Sequence, residues 1–190
     1  MAVDLDRYRE PSREPAVLEA RRRALVEQMG WLRHEADALG PLLGALPAWA
    51  VDQAPVPTER SAKETLQALA RLDREAYPAW LDAIEAQETS GAGASGGEPP
   101  AFASPDLSAL GGGANERDLD ALLAEVAEAR APLAQRVATI APEAWDRPLV
   151  LDGETTDLYG LVLAIVQRDA DELKTLAYRL HGADLTQRTK

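Results

Sequence analysis

The sequence predicts an all-α protein arranged as a four-helix bundle. Three observations carry that expectation. Ala and Leu supply 63 of the 190 residues while Val and Ile supply 13, so good helix formers outweigh strand formers. No stretch sustains a period-two alternation between hairpin turns. Four segments of about 25 residues each carry one apolar stripe at spacings of three, four and seven, and such stripes bury best against one another.

The first helix is expected over 12–39. Ser12 can cap it, with Pro15 in its first turn. Its stripe is Leu18, Leu25, Met29, Leu32, Ala36 and Leu39, and Gly40-Pro41 should end it. A turn-rich stretch through Pro47, Pro55 and Pro57 follows. The second helix is expected over 61–87. Ser61-Ala62-Lys63-Glu64 reads as a capping box: the Ser61 hydroxyl accepts from the Glu64 amide, and Glu64 reaches back to the Ser61 amide. Leu66, Leu69, Asp73, Ala76 and Trp80 share one face. Pro78 lacks an amide proton and should kink the helix near 74–78.

Residues 89–114 hold seven of the 13 glycines and read as a linker too apolar-poor to order itself. A flexible chain of that length spans roughly 28 Å, enough to cross over much of a bundle. The third helix should start at Asn115, with the stripe Leu119, Leu122, Val126, Leu133, Val137 and Ile140. Residues 141–154 are expected as a loop around Trp145. The fourth helix should begin at Thr155 or Thr156 and end at Gly182, with Leu158, Leu161, Val162, Ile165, Leu176 and Leu180 inward. A tail at 1–12, one domain at 13–182 and a tail at 183–190 complete the expected organisation.

Composition narrows the function. The chain has no Cys, which excludes thiolate nucleophiles and Cys-based metal sites. With only His34 and His181, it cannot build a three-histidine site. The net charge of −12 is spread evenly and disfavours binding to nucleic acid. No apolar run is long enough for a membrane span, and the polar 1–10 segment lacks a signal core, so a cytoplasmic location is expected. No nucleophile triad, P-loop or dinucleotide fingerprint is present. His34 lies off the first helix's stripe and reads as a surface residue; His181, in the last turn, reads as a cap. The four tryptophans read as core or interface anchors.

The informative feature is a polar break in the fourth stripe. Continuing from Ile165 by threes and fours lands on Arg168 or Asp169, then Glu172, before Leu176. In the second helix the same continuation lands on Asp73. Charges at core-facing positions are costly unless paired. They mark either a polar pocket inside the bundle or a helix rotated so that they reach the rim.

Several segments resemble the DinB/YfiT superfamily of bacterial four-helix bundles, many of which bind metal. They are SAKETLQALARLD at 61–73, LDALLAEVAEARAPL at 119–133, PEAWDRP at 142–148 and LYGLVLAIVQRDADELKTL at 158–176. The resemblance implies up-down-down-up topology, with a long crossover between the second and third helices where the Gly-rich stretch falls. Metal-binding members place one His in the second helix and an HxxxH pair in the fourth. Those positions are Ala68, Arg168 and Glu172 here, so all three ligands are absent, while the accompanying acids survive as Asp73 and Asp169.

Ala68, Asp73, Arg168, Asp169 and Glu172 therefore form the candidate pocket. Arg168, permanently charged, is expected to replace the metal by pairing with Glu172 and Asp73. The expected protein is a cofactor-free homodimer that binds a small molecule or a partner, with no assigned catalytic residue. An alternative, oxygen-rich site of Asp73, Asp171 and Glu172, with His34 as a further ligand, would hold a divalent metal such as Mg²⁺, Mn²⁺ or Ca²⁺. It would make the chain a metal-dependent hydrolase, or a transferase using low-molecular-weight thiols as some family members do; some members are stress-induced.

Overall fold

The computed structural model describes residues 14–55, 59–89 and 98–188, without the side chains of 87–89 and 181–188. The expected cap Ser12, the tail before it, and the His181 side chain lie outside the described residues.

The chain is mostly helical, with a small three-stranded sheet. Helix α1 spans Pro15–Gly44 and buries Leu25, Met29, Leu32, Ala36, Leu39 and Leu43. It does not end at Gly40-Pro41. Pro41 removes one donor only, and continuing for another turn buries Leu43. Gly40 lies close to Leu123, where an added Cβ would stand 3.6 Å from the Leu123 methyl. A short helix α2, Ala48–Asp52, follows.

Helix α3, Ala62–Arg71, begins with the capping box as expected: Ser61 Oγ accepts from the Glu64 amide at 3.0 Å and the Ser61 amide donates to Glu64 Oε2 at 2.7 Å. The helix passes through a π turn, Leu72–Ala76, into α4, Tyr77–Thr89. Pro78 cannot donate to the Arg74 carbonyl, so the turn before it widens and the Tyr77 amide reaches back to the Leu72 carbonyl. The irregularity expected from Pro78 thus takes the form of one extra residue per turn.

The stretch expected as a linker is structured over its described residues. Residues 98–116 form strand β1 (Ala101–Phe102), helix α5 (Leu107–Gly111) and a 3₁₀ turn (Ala114–Glu116). Gln67 donates to the Leu110 and Gly112 carbonyls, Ser61 Oγ donates to Asn115 Oδ1, and Phe102 packs on Trp80. Phe102, Leu107 and Leu110 supply the apolar anchors that a count of glycines overlooks. Asn115 is therefore occupied with α3. The next helix, α6 (Leu119–Thr139), is capped instead by Asp118, which accepts from the Ala121 amide.

The expected loop at 141–154 contains a hairpin. Strands β2 (Leu149–Leu151) and β3 (Glu154–Thr156) join through Asp152-Gly153, both with positive φ, and β1 adds parallel to β2. Helix α7 runs Leu158–Arg188, beyond the expected end at Gly182. Helix α1 packs on α6 and α7, and α3 packs on α5 and α6. The core between them includes Met29, Leu66, Leu72, Leu122, Val126, Trp145, Leu161 and Leu176.

Candidate functional site

Arg130 of α6 is wholly buried and lies between two buried carboxylates. Its Nε donates to Asp73 Oδ2 at 2.7 Å and its Nη2 to Asp73 Oδ1 at 2.9 Å. Its Nη1 donates to Asp169 Oδ2 at 2.6 Å and its Nη2 to Asp169 Oδ1 at 3.1 Å. A further Nη1 bond to the Met29 carbonyl at 3.4 Å ties in α1. A guanidinium has five N–H donors, and five bonds use them all. The two bidentate pairs are the strongest geometry such a group can find.

Each partner is positioned by a local feature. Asp73 sits in the π turn ahead of Pro78, where the widened turn carries both Leu72 and Asp73 inward. Asp169 follows Ile165 by four on α7 and keeps to the buried face. Arg130 follows Val126 by four on α6, between Val126 and Leu133.

One cation between two acids leaves a net negative charge when both acids are ionised. Burial pushes the Asp73 carboxyl up to about 6, against the pull of the Arg130 charge and its hydrogen bonds, while the neighbouring Asp169 charge adds to the rise. Burial raises Asp169 as well, opposed by Arg130 and Arg168. For Arg130, burial works against the charged form but the two carboxylates outweigh it and hold the proton more firmly. The trio thus takes up a proton readily and keeps its guanidinium charged.

A second set of polar contacts begins at Tyr77, whose hydroxyl feels the Asp73 and Asp169 charges. Tyr77 is buried, and burial raises its hydroxyl to about 12. Arg168 Nη1 donates to Tyr77 Oη at 3.3 Å, and Arg168 Nη2 to Ser104 Oγ at 2.9 Å. Ser104 in turn donates through Oγ and its amide to Asp152 at 2.6 and 2.7 Å. The 98–116 segment and the β-hairpin therefore both reach the rim of the site.

Of the predicted pocket residues, the structure unites Asp73 and Asp169 but disperses the rest. Arg168 pairs with neither Asp73 nor Glu172; it turns toward Tyr77 and Ser104. Glu172 is held by Arg60 Nη2 at 2.6 Å instead. Ala68 is buried in α3. The cation that pairs with the two inward acids is Arg130, which no sequence argument singled out. A signal was there: the α6 stripe jumps seven residues from Val126 to Leu133, and the missing step falls on Arg130.

The alternative metal set does not assemble. Asp73 is spent on Arg130 and Glu172 on Arg60, while Asp171 is exposed. His34 lines a groove of about 360 Å³ between α1 and α6, with Gly30, Arg33, Ala134 and Gln135. Among the described residues no three potential ligands cluster, and none of the described helices is long and apolar enough to cross a membrane. A three-histidine metal site does not fit the donor set: the sequence has only two His, and a fully bonded guanidinium holds the two carboxylates a cation would need. Comparisons with protein-family models, with curated proteins and with solved structures give no match.

Proposed function

We propose that this chain is a four-helix bundle of the DinB/YfiT kind in which a guanidinium stands where relatives would hold a metal. It works by binding a small molecule or a protein partner rather than by metal chemistry. The single observation that carries the reading is Arg130. It joins Asp73 and Asp169, the two acids that the resemblance sets beside the lost ligand positions.

The order of contacts supports the topology. Along the helix formed by α3 and α4, Arg74 meets Glu125, Asp73 meets Arg130, and Asp82 meets Arg136, so that helix and α6 run in the same sense. Against α7 the order reverses: Arg60 meets Glu172 and Tyr77 meets Arg168. Helix α1 opposes α6, since Met29 meets Arg130 while Gly40 meets Leu123. It runs with α7, where Arg21 stands over Tyr159 and Met29 lies beside the Arg130–Asp169 pair. Same-sense neighbours need a long crossover, and residues 90–118 provide it.

Metal analysis of the purified protein by mass spectrometry tests the reading. Less than stoichiometric metal is expected. Stoichiometric metal that is lost in Asp73→Asn would return the chain to the metal-dependent class.

A further inference from the structure

We propose that the groove between α1 and α6 binds a small amphiphilic monocarboxylate, its carboxylate held at the Arg33–His34 end and its apolar body laid toward Val26 and Ala138. The inference deepens the small-molecule half of the reading above and rests on it. It does not depend on what holds Asp73 and Asp169.

Small residues on the two helices create the groove. Val26 and Gly30 on α1, and Ala131, Ala134 and Ala138 on α6, line it. Steps of three and four put each set in one row along its helix. Their short side chains leave the space between the rows open. An added Cβ at Gly30 would meet nothing within 4 Å. The open volume is about 360 Å³, inside the range of about 300–1,000 Å³ usual for small-molecule sites. Arg130 forms part of the inner wall. Its bonds to Asp73, Asp169 and the Met29 carbonyl hold that wall in place.

The two ends of the groove differ in chemistry. Met29 meets Arg130 while Gly40 meets Leu123, so residue numbers run oppositely along the two helices. Arg33 and His34, one turn beyond Gly30, therefore stand at the end where the α6 wall finishes at Ala131. Val26 stands at the other end, with Ala134 and Ala138. The first end offers N–H donors and a permanent positive charge. The second is mainly apolar, with Gln135 at its exposed rim. A ligand that fits both ends carries a polar head and an apolar body.

Charge selects the head. Among the described residues that line the groove, none is acidic. Arg130 has spent its donors on its partners, and its charge is balanced by the two buried carboxylates. Arg33 is the cation left over: it is exposed and, among the described residues, makes no hydrogen bond or ion pair. A guanidinium takes a carboxylate through two parallel hydrogen bonds, and His34 adds a ring N–H in either charge state. The net charge of −12 penalises every further negative charge brought to the surface, which favours a monoanion over phosphate. A bare anion would also leave the apolar end of the groove unfilled.

Isothermal titration of the full chain with sodium octanoate tests the proposal, with 1-octanol and inorganic phosphate as the uncharged and the purely ionic counterparts. Octanoate is expected to bind at a single site at millimolar concentration or below, and each counterpart about tenfold or more weakly. Arg33→Gln should lose about tenfold in octanoate affinity, the worth of one hydrogen bond to a charged group. Arg23→Gln, exposed on the same helix but outside the groove, should lose nothing. Gly30→Leu fills the groove with no atom in the way of its Cβ and suits a helix better than glycine. It should therefore fold, with an unchanged far-UV spectrum, and abolish binding. A wild type that ignores octanoate, equal binding of octanol or of phosphate, an Arg33→Gln variant of full affinity, or a folded Gly30→Leu variant that binds like wild type would overturn the proposal. None of these outcomes alters the metal content, so failure here is distinct from failure of the interior reading.

Discussion

Arg130 and Asp73 face each other across α6 and the π turn with both side chains wholly excluded from solvent, joined by two hydrogen bonds of 2.7 and 2.9 Å. Asp169 completes the pair from α7. A single guanidinium thus ties three separated parts of the chain at one point. Such a tie is stabilising only while it is whole, because each member alone would be a buried, unpaired charge.

Removing the cation should therefore be severe. Arg130→Ala is expected to cost about 3–5 kcal/mol, whereas Arg168→Ala, at the half-exposed rim, should cost less than about 1 kcal/mol. The triple variant Arg130→Met, Asp73→Leu, Asp169→Leu should recover most of the loss, since an apolar cluster needs no compensating charge. Urea titrations of the wild type and these three variants check the ranking.

The pH dependence has a definite sign. Asp73 titrates near 6 in the fold and at the ordinary value of 3.8 when unfolded. A raised pKa means that the fold binds the proton more readily. The resulting stability is complete below 3.8 and is lost as pH rises through about 6. A rise of that size corresponds to at most about 3 kcal/mol. Glu125 and Asp152, held below their ordinary values by Arg117 and by Ser104, act in the opposite sense and lose their contribution as the pH falls through the carboxylate range. Thermal melts should show a higher midpoint near pH 5 than near pH 7.5, and Asp73→Asn should flatten that difference.

The segment 98–116 should matter to folding. Gly111 lies against α3, where an added Cβ would stand 2.9 Å from the Glu64 carbonyl oxygen. Gly111→Ala should cost about 1–3 kcal/mol by overpacking. Gln67→Ala, which strips the bonds to Leu110 and Gly112, should cost about 1 kcal/mol or more. A Gly/Ser replacement of 98–116 with no loss in the denaturation midpoint would show that these contacts contribute nothing.

Helix identity and the Ser61 cap were legible because they rest on local rules: the apolar period, and a side chain bonding three residues away. The sheet was less so. Asp152-Gly153 is a hairpin signal, but its flanking strands are three residues each, too short for alternation to stand out. The acids Asp73 and Asp169 were legible as breaks in apolar stripes. Their partner was not, because Arg130 sits among helix-favouring neighbours and its burial depends on a partner 57 positions away in sequence. Arg168 looked equally suited by charge and spacing. Only the turn of α7 that aims it at Tyr77 and Ser104 excludes it from the interior.

We propose that the Arg130 guanidinium takes the place of a metal ion between Asp73 and Asp169. Thermal melts of wild type and Arg130→Ala, with and without Mn²⁺ or Zn²⁺, test it most directly. Without Arg130 the two carboxylates face each other unneutralised, and a divalent cation can bind them and raise the midpoint by mass action. Metal is expected to restore stability to Arg130→Ala and to leave the wild type unmoved. A wild-type midpoint that rises with metal while the variant ignores it would rule out a guanidinium standing in for the ion.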